Sequence, residues 1–104
     1  MNRTDLINRL KLMIKGISPD AQAILYGSEA RGEARIDSDI DLLILLDKDS
    51  ISPVEEDRIT APIYDLEIET GTVISPVVMT HKAWEAAKRK TVFYYNVMKD
   101  GILL

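Results

Sequence analysis

The chain has 104 residues, 46% of them hydrophobic and 29% charged, with a formal net charge of −4 and no cysteine. That balance predicts one compact domain over residues 1–104 with a real apolar core. It excludes disulfides, thiolate metal sites and cysteine nucleophiles, and it argues against direct binding of nucleic acid, which needs a basic face. The longest apolar run, residues 42–46, is far too short to cross a bilayer, and the N-terminus carries no signal-peptide core, so a soluble cytoplasmic protein with no membrane contact is expected.

In chain order, Leu6, Ile7, Leu10, Met13 and Ile14 recur at helical spacing, with Thr4 as the expected N-cap and Gly16 as the stop. Residues 23–26 read as a short buried strand ended by Gly27-Ser28. Residues 39–46 are the clearest strand. Polar alternation at its start gives way to a continuous apolar run, which places the start at a solvent-accessible edge of the sheet and buries the rest on both faces. Ser52, Pro53 and the Glu55-Glu56 pair make a strong helix start, and Ile59, Ile63 and Leu66 continue a helical stripe to Gly71, although Pro62 should kink it. An alternating strand over residues 64–69 is the competing reading. Residues 72–79 form a β-branched strand that Pro76 assigns to an edge or a bulge. Thr80 caps a helix through Trp84 and Ala87, and a last helix over residues 92–99 leads into Ile102-Leu103-Leu104, an apolar end suited to packing on the core or docking on a second copy or a partner. The order α-β-β-α-β-α-α predicts an α+β fold with a small mixed sheet flanked by helices.

The chemistry gathers between residues 25 and 44. Asp39 and Asp41 are one residue apart on a strand, so both carboxylates project from one face. Two adjacent like charges repel unless something neutralises them. A divalent cation does so, and oxygen-only ligands with open positions suit Mg²⁺, which is held by one or two carboxylates plus substrate phosphates. Gly27 lets backbone approach a ligand closely, while the Ser28 hydroxyl and adjacent N–H groups can hold phosphate oxygens. Together these residues describe a site for a nucleoside triphosphate, in which positioning and charge neutralisation supply most of the rate.

Gly27-Ser28, a ten-residue spacer and Asp39-Ile40-Asp41 followed by apolar residues resemble the signature of the polymerase-β-like nucleotidyltransferase superfamily. The wider run from Tyr26 through Glu29-Ala30-Arg31-Gly32 and Asp37-Ser38 to Leu43 looks like its minimal nucleotidyltransferase branch, that of MntA-type antitoxins. The motif covers about a fifth of the chain, and the flanking elements fit the same fold. The resemblance implies a polymerase-β-like nucleotidyltransferase fold and transfer of a nucleotidyl group from ATP or another NTP, with one or two Mg²⁺ ions. It implies that Gly27 and Ser28 grip the nucleotide, that Asp39 and Asp41 are metal ligands and catalytic residues, and that Arg31 touches phosphate or locks the loop. The branch pairs with HEPN-type ribonuclease toxins and adds AMP to a toxin tyrosine, so a protein partner of that kind is expected.

Two departures stand out. The superfamily places a third carboxylate on a later strand, as the usual general base, yet the strand over residues 72–79 has no acid, and Ser75 takes that place. Asp65 or Glu67 would complete the site only if residues 64–69 were a strand. Glu29 also stands where an arginine commonly follows Gly-Ser. A domain that binds nucleotide and partner, and neutralises a toxin by occlusion with little or no turnover, is therefore the alternative reading. Aminoglycoside modification is disfavoured, because the chain leaves no room for a drug-binding domain. Among other polar residues, Asp37 reads as a turn residue, Asp47 and Asp49 as solvated, Arg35 as an ion-pairing surface residue and His81 as a surface or capping residue. Trp84, Phe93, Tyr94 and Tyr95 are assigned to the core or an interface.

Overall fold

The computed structural model describes residues 2–104. Helix α1 (Arg3–Ile17) is followed by strands β1 (Gln22–Tyr26) and β2 (Ile40–Leu46), helix α2 (Pro53–Thr70) and strand β3 (Ile74–Thr80). Helices α3 (His81–Ala86) and α4 (Val92–Asp100) then lead to a two-residue strand β4 (Ile102–Leu103). The sheet order is β3-β2-β1-β4, with β1 antiparallel to both β2 and β4, and β2 parallel to β3. The α+β expectation, with a mixed sheet between helices, holds.

Side-chain parity on β2 explains the layering. Ile40, Leu42, Ile44 and Leu46 point to one face, where Leu6, Leu10 and Ile14 of α1 and Ile59, Ile63 and Leu66 of α2 cover them. Leu43 and Leu45 point to the other face, against Trp84 of α3 and Tyr94 and Val97 of α4. A central strand buried on both sides needs such a continuous apolar run. Asp41 has the parity of Leu43, so it lies on the α3–α4 face.

Local corrections follow from side-chain chemistry. Asn2 caps α1, its Oδ1 accepting from the Asp5 N–H at 2.8 Å, so Thr4 lies inside the helix, which runs one residue past Gly16. Pro62 does not end α2: the buried stripe Ile59, Ile63, Leu66 carries the helix through to Gly71, which caps it at φ 74° with its N–H on the Glu67 carbonyl. The strand alternative for residues 64–69 is thereby overturned. The apolar end forms β4, which adds an edge to the sheet by pairing Leu103 with Ile24 and Ile102 with Leu25. Pro76 sits on β3, an edge strand, where a missing N–H is tolerated. Tyr95 is 56% exposed rather than packed in the core.

Candidate active site

β1 ends at Tyr26, and Gly27 turns away with φ 77°, a conformation that favours glycine. The turn is held by its own backbone, with the Arg31 N–H on the Gly27 carbonyl at 3.1 Å and the Glu33 N–H on the Ser28 carbonyl at 2.9 Å. A β-carbon on Gly27 would lie 2.5 Å from Asp41 Oδ2, so the glycine is what lets the turn lie against that carboxylate.

Asp41 faces Tyr26 on β1 and Ser75 on β3 across the register. Its carboxyl is half-buried, and burial pushes its pKa above the usual aspartate range; the neighbouring Asp39 pushes it further, while Arg31 pulls it back. Asp39 is exposed and sits immediately before β2, one residue outside the strand expected to contain it, yet close enough to repel Asp41. The Tyr26 hydroxyl is also held in its neutral form, by burial and then by the Asp41 charge. Two carboxylates kept together at this cost are the chemistry that a hard divalent cation relieves. Among the described residues no set of three or more His, Cys, Asp or Glu side chains is gathered to hold an ion, so Asp39 and Asp41 fit Mg²⁺ only with substrate oxygens completing its shell.

Tyr26, Gly27, Arg31 and Asp41 open on a cleft of about 310 Å³ lined also, from α4, by Phe93, Asn96, Lys99 and Asp100; Ser28 and Asp39 are not part of its lining. Arg31 projects into it with its guanidinium bound to Asp100 at 2.9 Å and Glu33 at 3.1 Å. Arg31 is thus an ion-paired residue on the cleft wall. The contribution of α4 was missed, because nothing in residues 92–100 marks that helix as folding back over β1. Lys99 is a basic group in the cleft that sequence reasoning did not single out.

The remaining carboxylates lie elsewhere. Asp65 is exposed on α2, and Glu67 Oε1 accepts from the Ile74 N–H at 2.8 Å, holding the first residue of β3 from the α2 side of the sheet. Neither reaches the cleft, and Ser75 is what β3 brings opposite Asp41. Asp37, Asp47 and Asp49 are exposed in turns, and Arg35 is exposed, its backbone N–H on Ser38 Oγ. His81 is exposed beside Gln22, at the other end of the sheet.

The Nucleotidyltransferase domain family model matches residues 7–98. The chain belongs to that family. Over 100 residues it is 31% identical to a protein of Methanocaldococcus jannaschii named "Putative protein adenylyltransferase MJ0604", covering 96% of this chain and 91% of that one. It is 38% identical over 65 residues to the terminal uridylyltransferase cid1 of Schizosaccharomyces pombe, a match spanning 62% of this chain but only 15% of that much longer protein. Among solved structures, one described as a "putative minimal nucleotidyltransferase" superposes with a TM-score of 0.65 at 24% identity, covering all of this chain and 97% of the other. A toxin-antitoxin crystal structure with AMP-PNP superposes with a TM-score of 0.64 at 18% identity over 92% of this chain and 69% of that one. These two share the fold. The nucleotidyltransferase thus has the minimal nucleotidyltransferase architecture.

Its paired aspartates have a consequence for stability. The Asp41 pKa is raised in the fold, so the ionised carboxylate is less stable folded than unfolded, and stability is gained as pH falls through the folded pKa. Asp41→Asn is expected to raise the melting temperature of the metal-free protein at neutral pH. The gap to wild type should close on acidification, once Asp41 is protonated. Thermal melts of both proteins across that pH range check it.

Proposed function

We propose that this nucleotidyltransferase moves AMP from ATP onto a hydroxyl of a partner protein, the HEPN-type toxin of a toxin-antitoxin pair, in the cytoplasm where ATP and Mg²⁺ are plentiful. The observation that carries the reading is the half-buried Asp41 carboxyl, set against the Gly27 turn and facing the cleft with Asp39 and Arg31 beside it. The name of the archaeal relative supports adenylyl transfer to protein, and the toxin-antitoxin neighbour with AMP-PNP supports the partner and the nucleotide.

In this reading Gly27 and Ser28 hold the β- and γ-phosphates through the turn's backbone and hydroxyl, and Arg31 supplies positive charge from the cleft wall. Asp39 and Asp41 would hold Mg²⁺, which would supply positive charge to neutralise the phosphates. The acceptor hydroxyl oxygen forms a bond to that phosphorus as the bond to pyrophosphate breaks, and its proton passes to cleft water, because β3 offers Ser75 rather than a carboxylate. That substitution favours slow turnover and keeps the occlusion reading as the alternative.

The test is to incubate the protein with α-labelled ATP, Mg²⁺ and the product of each neighbouring gene in turn. Label on one of those products is the expected result. Tight ATP binding with no labelled protein would support occlusion instead, and neither binding nor transfer would sink both readings.

A further inference from the structure

Glu29 is an oddly placed acid. It follows Ser28 directly, its side chain is only 12% exposed, and a carboxylate there opposes the phosphates that the turn is proposed to grip. The structure answers this from the far end of the chain. Arg3, on the first turn of α1 and 21% exposed, places its Nε 3.0 Å from Glu29 Oε2. The same guanidinium donates through Nη2 to the Ser38 carbonyl at 2.8 Å and through Nη1 to the Ile36 carbonyl at 3.4 Å.

One planar cation thus spans the two ends of the loop between β1 and β2. At one end it holds the residue after Ser28, and at the other the residue before Asp39. Arg suits the task because its rigid fork offers several donors at fixed angles and stays charged when partly buried.

Resting on the nucleotide reading above, we propose that Arg3 is a positioning residue for triphosphate binding. It cancels the Glu29 charge beside the phosphate-gripping turn. It touches neither nucleotide nor metal; it acts through the loop.

A mere structural brace and a charge-cancelling brace differ in the sign of one double mutant. Arg3→Ala frees a carboxylate next to the phosphates, so the ATP dissociation constant and KM should rise by about tenfold, with kcat changed much less; tenfold is the effect of about 1.4 kcal/mol. Glu29→Gln alone, which leaves a neutral side chain beside Arg3, should bind ATP at least as tightly as wild type. Adding Glu29→Gln to Arg3→Ala should recover most of the lost affinity, because the offending charge is gone. Arg3→Lys, which keeps the charge but not the fork, should fall between wild type and Arg3→Ala.

ATP titrations of the five proteins, with thermal melts alongside, decide the matter. Recovery in the double variant without recovery of melting temperature is the expected result. A double variant that binds as poorly as Arg3→Ala, or an Arg3→Ala that binds as wild type, overturns the role of Arg3 alone. A wild type that binds no triphosphate removes the nucleotide reading and this inference with it.

Discussion

Asp39→Asn and Asp41→Asn, made together, should cut labelled transfer by about 10³-fold or more while leaving the protein folded. A metal ion at a transferring phosphoryl group is worth several kcal/mol, and each 1.36 kcal/mol is about a decade in rate. Asparagine keeps the shape of both side chains but removes the charge that holds the ion. The loss should be accompanied by loss of the thermal stabilisation that Mg²⁺ and ATP together give the wild type. Because Asp41→Asn also relieves a desolvated, repelled carboxylate, the inactive variant should melt no lower than the wild type without ligand. An inactive protein that is unfolded, or an active one, would contradict the assignment. Rates from label incorporation and melts with and without Mg²⁺-ATP measure both halves.

Gly27→Ala should have the second-largest effect, and for two separable reasons. Its φ of 77° costs an L-residue roughly 1–2 kcal/mol, which lowers the melting temperature of a domain this size by roughly 5–10 °C. The new methyl would also sit 2.5 Å from Asp41 Oδ2, forcing the carboxylate or the turn to move. Displacement of a catalytic group by about 1 Å can cost roughly 10²-fold in rate. Gly32 provides the control. It has a φ of 72° in the same loop, but a β-carbon there meets nothing within 4 Å. Gly32→Ala should lose comparable stability and keep its activity. Equal losses of activity in the two variants would mean that backbone strain, not contact with Asp41, explains Gly27.

What the sequence made legible, and what it did not, divides along the range of the interactions. Asp41 could be placed on the face of Leu43 because alternation is a property of the strand itself, and the run over residues 42–46 announced a strand buried on both sides; Asp39 falls one residue before that strand, where alternation no longer fixes its direction. The Gly27 turn was legible for a similar reason: the strand before it and the polar stretch after it bound a loop. The helix over residues 53–70 was also readable from its cap and stripe, although Pro62 argued against it and lost to the burial of Ile59, Ile63 and Leu66. Features that depend on distant partners were not legible. Asp100 reads locally as the end of a helix, and only packing of α4 over β1 brings it 69 residues back to Arg31. The two-residue β4 has no strand signal of its own and owes its pairing to Ile24 and Leu25. Glu67 looked available as a third acid in one dimension, but its helix lies on the opposite face and its carboxylate is engaged by the Ile74 N–H. Arg3 and Glu29 are 26 positions apart, and no local pattern pairs them.

Diffraction from crystals grown with Mn²⁺ and a non-hydrolysable ATP analogue tests the central claim most directly. An anomalous peak bridging the carboxylates of Asp39 and Asp41 to the triphosphate, with the phosphate tail on the Gly27-Ser28 turn, is what the account predicts. Manganese absent from that position, or a nucleotide bound away from the cleft between β1, β2 and α4, would contradict it.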